Sequence, residues 1–178
     1  TKVLGTQASE VLVVRFFRAQ CLDNLGAVTA ALQETEDLLV QASAIWGERD
    51  PSTLMAHLLK AQCLGNMGNT TAALQVADAL LPLMTEVKGS RHPDTLSTRH
   101  LRAQCLLSTG EAAAALQEAD TILPERIALL GERHPYVLQT RSLRAICLAR
   151  MSRIAEAIAD TDNLLSARID LYGESAPE

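Results

Sequence analysis

Within residues 89–130, after Gly110, the apolar positions Ala115, Leu116, Ala119, Ile122 and Leu123 recur every three or four residues, one continuous stripe on a helix. The run before Gly110, within "GSRHPDTLSTRHLRAQCLLSTG", is helical too. Placed at 100° per residue, Ser97, Gln104 and Ser108 fall within about 40° of one another, and Arg99, Arg102 and Leu106 cluster opposite them. Gly110 separates the two runs and suits a helix C-terminus in a left-handed conformation; Pro93 suits a first helical turn, where its missing N–H costs nothing. The pattern predicts a helical hairpin. Asp50-Pro51 supplies a good N-cap for a second such unit.

The hairpin recurs without insertion or deletion. Cys21, Cys63, Cys105 and Cys147 stand 42 residues apart, as do Gly5, Gly47, Gly89, Gly131 and Gly173, the last four each followed four positions on by Pro51, Pro93, Pro135 and Pro177. A fixed period between 20 and 50 residues means stacked supersecondary units that bury their faces against neighbours. One repeat domain over 1–178 is predicted, with repeats at 5–46, 47–88, 89–130 and 131–172, and with 1–4 and 173–178 as remnants of adjoining repeats. The cut ends predict a longer array, and self-association through exposed repeat faces. Pro82 and Pro124 fall inside the second helices of their units, where a kink or break is expected; Val40 and Ser166 take that place in the other two.

The stretch "GERHPYVLQTRSLRAICLARMSRIAEAIADTDNLL", with its His-Pro dipeptide, a leucine three after the proline and a small residue at Ala157, resembles the tetratricopeptide repeats of kinesin light chain and nephrocystin-like proteins, whose period is also 42. The resemblance covers essentially the whole chain. It implies an all-α fold, a right-handed α-solenoid of stacked antiparallel helical hairpins, with the polar stripe of each first helix lining a concave face. One departure stands out: where that family usually has an apolar residue before the small alanine of the first helix, this chain has Arg18, Lys60, Arg102 and Arg144.

These four cations turn inward, and a buried charge needs a partner. The second helix offers an acidic residue in every unit, at Glu36, Asp78, Asp120 and Asp162. In an antiparallel hairpin centred near residue 111, Arg102 lies level with Asp120, so an ion pair within each repeat is predicted: Arg18–Glu36, Lys60–Asp78, Arg102–Asp120 and Arg144–Asp162. Breaking such a pair, if well buried, costs roughly 3–5 kcal/mol. A second basic column, Arg15, His57, Arg99 and Arg141, either shares these carboxylates, satisfies carbonyls released by the prolines, or forms a strip for phosphate or acidic peptide; pairing is the favoured reading.

The concave stripe contains Gln20, Gln62 and Gln104 in one column, becoming Ile146 in the fourth repeat, and Asn24, Asn66 and Ser108 in another, becoming Arg150. Regularly spaced amides can donate to and accept from a peptide backbone. Selectivity would come from the varied columns, Val13, Met55, Ser97 and Gln139 beside Phe16, Leu58, His100 and Ser142. The arrangement resembles the asparagine-rich groove of kinesin light chain repeats and lacks the lysines of a carboxylate clamp.

Composition narrows the rest. Net charge −5 opposes phosphate attraction, so nucleic acid is a poor partner, and no apolar run approaches the roughly 18 residues of a membrane span. One cysteine per repeat, on helices about 8–10 Å apart, exceeds the ~7 Å limit for bridging, which predicts free, buried thiols and a reducing, cytoplasmic setting. His92 and His134 precede prolines and read as helix caps. There is no phosphate loop, no His-Glu-x-x-His and no Gly-x-Ser-x-Gly, so no catalytic residue, metal or cofactor is predicted. The leading expectation is an interaction scaffold in a larger protein, binding an extended peptide or partner segment in its groove; the alternative is a sensor arm packed against the catalytic domain of a signalling NTPase or other enzyme.

Overall fold

A computed structural model describes the backbone of residues 2–172 and the side chains of 9–169. The described residues form eight helices and no strand: α1 (Lys2–Asn24), α2 (Val28–Trp46), α3 (Pro51–Asn66), α4 (Thr70–Lys88), α5 (Pro93–Ser108), α6 (Ala112–Leu130), α7 (Pro135–Arg150) and α8 (Ile154–Tyr172). They fall into two compact units, Thr1–Leu101 and Arg102–Glu178.

Each hairpin closes on one residue with positive φ. In the third, Gly110 (φ 94°) lets its N–H reach Leu107 O and the next N–H reach Leu106 O, which satisfies two carbonyls that the helix end leaves open. The fourth makes the same two bonds with Ser152 at φ 60°, the one described non-glycine residue in this conformation. The predicted caps are present. Asp50 accepts from Ser52 N at 2.8 Å, and the Nδ1 atoms of His92 and His134 accept from Asp94 N and Tyr136 N, each at 3.2 Å.

In the first unit, α1, α2 and α3 meet in two apolar layers. Leu12, Leu38, Leu39 and Ala56 make one; Ala19, Ala31, Leu59 and Cys63 make the other, with Phe16 packed against both. The small residues let helices approach: Ala19, Ala31, Ala61 and Ala73 are fully enclosed. In the second unit Ala115 and Ile122 of α6 and Cys147 of α7 are buried in the positions of Ala31, Leu38 and Cys63, and Ala119, Val137 and Leu148 are buried as well.

Three expectations are corrected. Pro82 and Pro124 break neither α4 nor α6, which run for 19 residues like α2 and α8. Both prolines are exposed or nearly so at the surface, and buried neighbours on each side, Leu80 with Met84 and Ile122 with Arg126, hold the helix through them. Cys63, Cys105 and Cys147 are buried and free, but Cys21 is exposed. Gly5, aligned by spacing with Gly47, Gly89 and Gly131, which cap the ends of α2, α4 and α6, instead lies inside α1. Residues 173–178, assigned to an adjoining repeat, lie outside the described residues.

Candidate functional site

The basic column is paired, but not as the level rule predicts. Within a hairpin, Arg18 faces Glu34 (3.7 Å), Arg102 faces Glu118 (2.8 Å) and Arg144 faces Asp160 (2.5 Å). Each of these partners lies eight residues from the turn residue, Gly26, Gly110 or Ser152, so the hairpin pivots on the left-handed residue itself. The predicted acids sit two residues further along, about 200° round the helix. Two of them face the following hairpin: Glu36 takes Lys60 at 2.9 Å and Asp120 takes Arg144 at 2.5 Å. The pairs Arg18–Glu36 and Arg144–Asp162 are thereby replaced, and Asp162 is exposed. Lys60 lacks an acid at the corresponding place in its own hairpin, because Val76 stands there.

Arg144 therefore holds one carboxylate in each of two successive hairpins. Burial works against its charge, but hydrogen bonds to Asp120 and Asp160 outweigh that and raise its pKa. The second basic column also finds carboxylates. Arg15 Nε donates to Glu34 at 2.6 Å, Arg141 to Glu132 at 3.0 Å, and His57 Nε2 lies 3.6 Å from Glu48.

Of the predicted peptide-facing residues, Val13, Gln20, Asn24, Asn66, Gln104, Ser108, Gln139 and Arg150 are exposed, and Phe16, Met55, Gln62 and Ser97 half-buried. Leu58 and His100 are buried, which corrects their assignment to the stripe. Each follows a stripe residue, Met55 or Ser97, by three positions, and so turns about 60° off it into the core.

Asn66 is engaged: its amide nitrogen donates to both Asp23 oxygens at 3.0 Å. The same carboxylate sits against Cys63, whose thiol is pushed up to about 12 by burial first and then by Asp23. In the first unit Val13, Phe16 and Met55 come together with Phe17 around an apolar pocket of about 170 Å³, closed by Leu12, Leu38, Trp46, Ser52 and Ala56. The two phenylalanine rings meet edge-on with centroids 5.9 Å apart, and Trp46 Nε1 donates to Ser9 Oγ at 3.1 Å. Among the described residues, no group of three or more His, Cys, Asp or Glu could hold a metal ion, and no helix is long and apolar enough to cross a membrane.

The tetratricopeptide repeat family model matches residues 52–124. The nearly identical TPR-like repeats assigned to a kinesin light chain of Podosopora anserina superpose with TM-score 0.78 at 17% identity, over 93% of this chain and 79% of that one. A single-substitution variant of those repeats gives the same score and identity, over 78% of its own length. BtubC (BKLC) from P. vanneervenii superposes with TM-score 0.79 at 15% identity, over 93% of this chain and 66% of that one. The chain has the tetratricopeptide repeat fold. No curated protein matches it in sequence.

Tetratricopeptide repeats are in general protein-interaction scaffolds, and such folds are typically non-enzymatic. Two features of this version were not legible as such in the sequence. Glu34, Glu118 and Asp160 form an acidic column that Val76 interrupts, so it is less conspicuous than the column that is acidic in all four repeats. Arg126, almost wholly buried, occupies the position of Ala42 and Met84. Its Nη1 donates to Tyr136 O at 2.9 Å and to Thr140 Oγ1 at 2.8 Å, its guanidinium lies 5.3 Å from the Tyr136 ring centroid, and desolvation lowers its pKa to about 10.

Proposed function

We propose that this tetratricopeptide chain is a protein-binding module that takes an extended segment of a partner along the exposed stripes of its first helices. The observation that carries the reading is the pocket of Val13, Phe16, Phe17 and Met55; Val13 is in line with Gln20 and Asn24 on α1, and Met55 with Gln62 two turns further along α3. At about 170 Å³ it is smaller than the roughly 300 Å³ at which small-molecule pockets begin, and so it suits one apolar side chain. The amides then hold the flanking backbone. Asn66, already engaged by Asp23, offers only its carbonyl oxygen. Free thiols in the core suit a reducing compartment, and the cytoplasm is the proposed setting.

Peptides selected from a random library on the immobilised protein test the reading. Binders should share one bulky apolar anchor and lose about tenfold or more in affinity to a Val13→Glu, Met55→Glu variant of unchanged helicity. Gln62→Ala should weaken all of them to a similar, smaller extent. Selected peptides that bind the variants as well as the parent protein would overturn it.

A further inference from the structure

α1 and α8 each present a face that its counterparts inside the chain keep covered. Val14 and Cys21 are exposed on α1, whereas Ala56 and Cys63, one period on, are buried. What covers those two is visible: Ala56 packs with Leu38 and Leu39 of the preceding second helix, and Cys63 with Ala31. α8 shows the complementary deficit. Leu165 is 59% exposed, but Leu39, at the same place in the first repeat, is 8% exposed because α3 lies on it.

The charges at the two faces are also complementary. Between hairpins, a first-helix cation reaches back to an acid of the preceding second helix, Lys60 to Glu36 and Arg144 to Asp120. Arg18 occupies the cation's place on α1, with its side chain 67% exposed and its own Glu34 at 3.7 Å. Asp162 occupies the acid's place on α8 and is exposed.

We infer that copies of this chain associate head to tail, the α8 face of one docking on the α1 face of the next, with Asp162 paired to Arg18 across the contact as Asp120 is to Arg144. The contact joins unlike faces, so it propagates and gives a ladder of species instead of a single dimer. It borders the proposed peptide pocket at Phe17, which lines that pocket and whose counterpart one period on, Leu59, packs against the preceding hairpin.

Sedimentation velocity over a wide range of concentration tests this with the parent chain, its variants and one mixture. The parent chain should associate, and Arg18→Glu or Asp162→Arg should each weaken association about tenfold or more, since like charges then oppose across the contact. The double variant should regain it, and so should an equimolar mixture of the two single variants, because unlike copies form both the native and the reversed pair. Val14→Glu, which removes neither charge, should also weaken it and guards against local damage by Arg18→Glu beside Glu34. A parent chain that stays monomeric, or association indifferent to the reversals or not regained by the double variant, would overturn the inference.

Discussion

Ser152 closes the fourth hairpin at φ 60°, a conformation in which a Cβ crowds the backbone and for which Gly26, Gly68 and Gly110 serve in the other three. Ser152→Gly should stabilise the chain by about 0.5–1 kcal/mol, read as a shift of the urea midpoint at constant slope. Cys63 and Cys21 share a repeat column but differ in surroundings, and their chemistry should differ accordingly. Alkylation mapped by mass spectrometry should find Cys21 first, with Cys63 and Cys147 protected, since burial raises both thiol pKa values and the thiolate is the nucleophile. The sign of the pH effect follows. The folded thiol of Cys63 holds its proton to about 12, whereas an unfolded cysteine loses it near ~8.5. Its contribution to stability is therefore complete below the unfolded value and declines as pH rises towards 12. A Cys63→Ala variant should show a shallower alkaline loss of stability. Recurrence at 42 marked the four cysteines as one column, but the exposure of Cys21 depends on what lies beside α1.

At the scale of elements, the prolines in α4 and α6 each cost a backbone hydrogen bond without ending the helix. Both rings lie towards the surface and contribute little packing, so Pro82→Ala and Pro124→Ala should each stabilise by about 1–2 kcal/mol. That is the gain of up to roughly 3 kcal/mol from a restored helix interior, less the greater freedom of the unfolded chain. Unchanged or lower melting temperatures would mean that the freed carbonyls already have good partners. Arg126 poses the opposite question, because its charge is buried where the second repeat has methionine. Tyr136 O also accepts from Thr140 Oγ1 at 2.9 Å and would not be orphaned by losing the guanidinium. Arg126→Met should therefore lie within about 1 kcal/mol of the parent, and Arg126→Ala should cost roughly 2–3 kcal/mol through the cavity it leaves, both measurable by thermal melting. The sequence marked both helices by their apolar stripes. Whether a proline ends a helix depends on the burial of its neighbours, a property of the packed state.

Across the molecule, successive hairpins are tied by the same device twice, Lys60 to Glu36 and Arg144 to Asp120, while Arg144 also binds its own Asp160. Double-mutant cycles with Arg144→Met should give a larger coupling to Asp160, whose side chain is 12% exposed, than to Asp120 at 46%. The expected values are about 1–3 kcal/mol and under about 1 kcal/mol. Equal couplings would show that solvent screens both arms alike. The repeat period, hairpin boundaries, caps and apolar stripes could be read from the chain because they depend on neighbours three, four or 42 residues away. That inward-turned cations require acids also followed from the sequence, since charge and helical period are local facts. Which acid each one takes did not: a two-residue shift rotates a carboxylate by about 200°, from its own hairpin to the next, and the shift is set by the turn on Gly26, Gly110 or Ser152. The pocket, the burial of Leu58 and His100, and the exposed faces of α1 and α8 were likewise decided by tertiary structure, because each depends on which helix packs alongside.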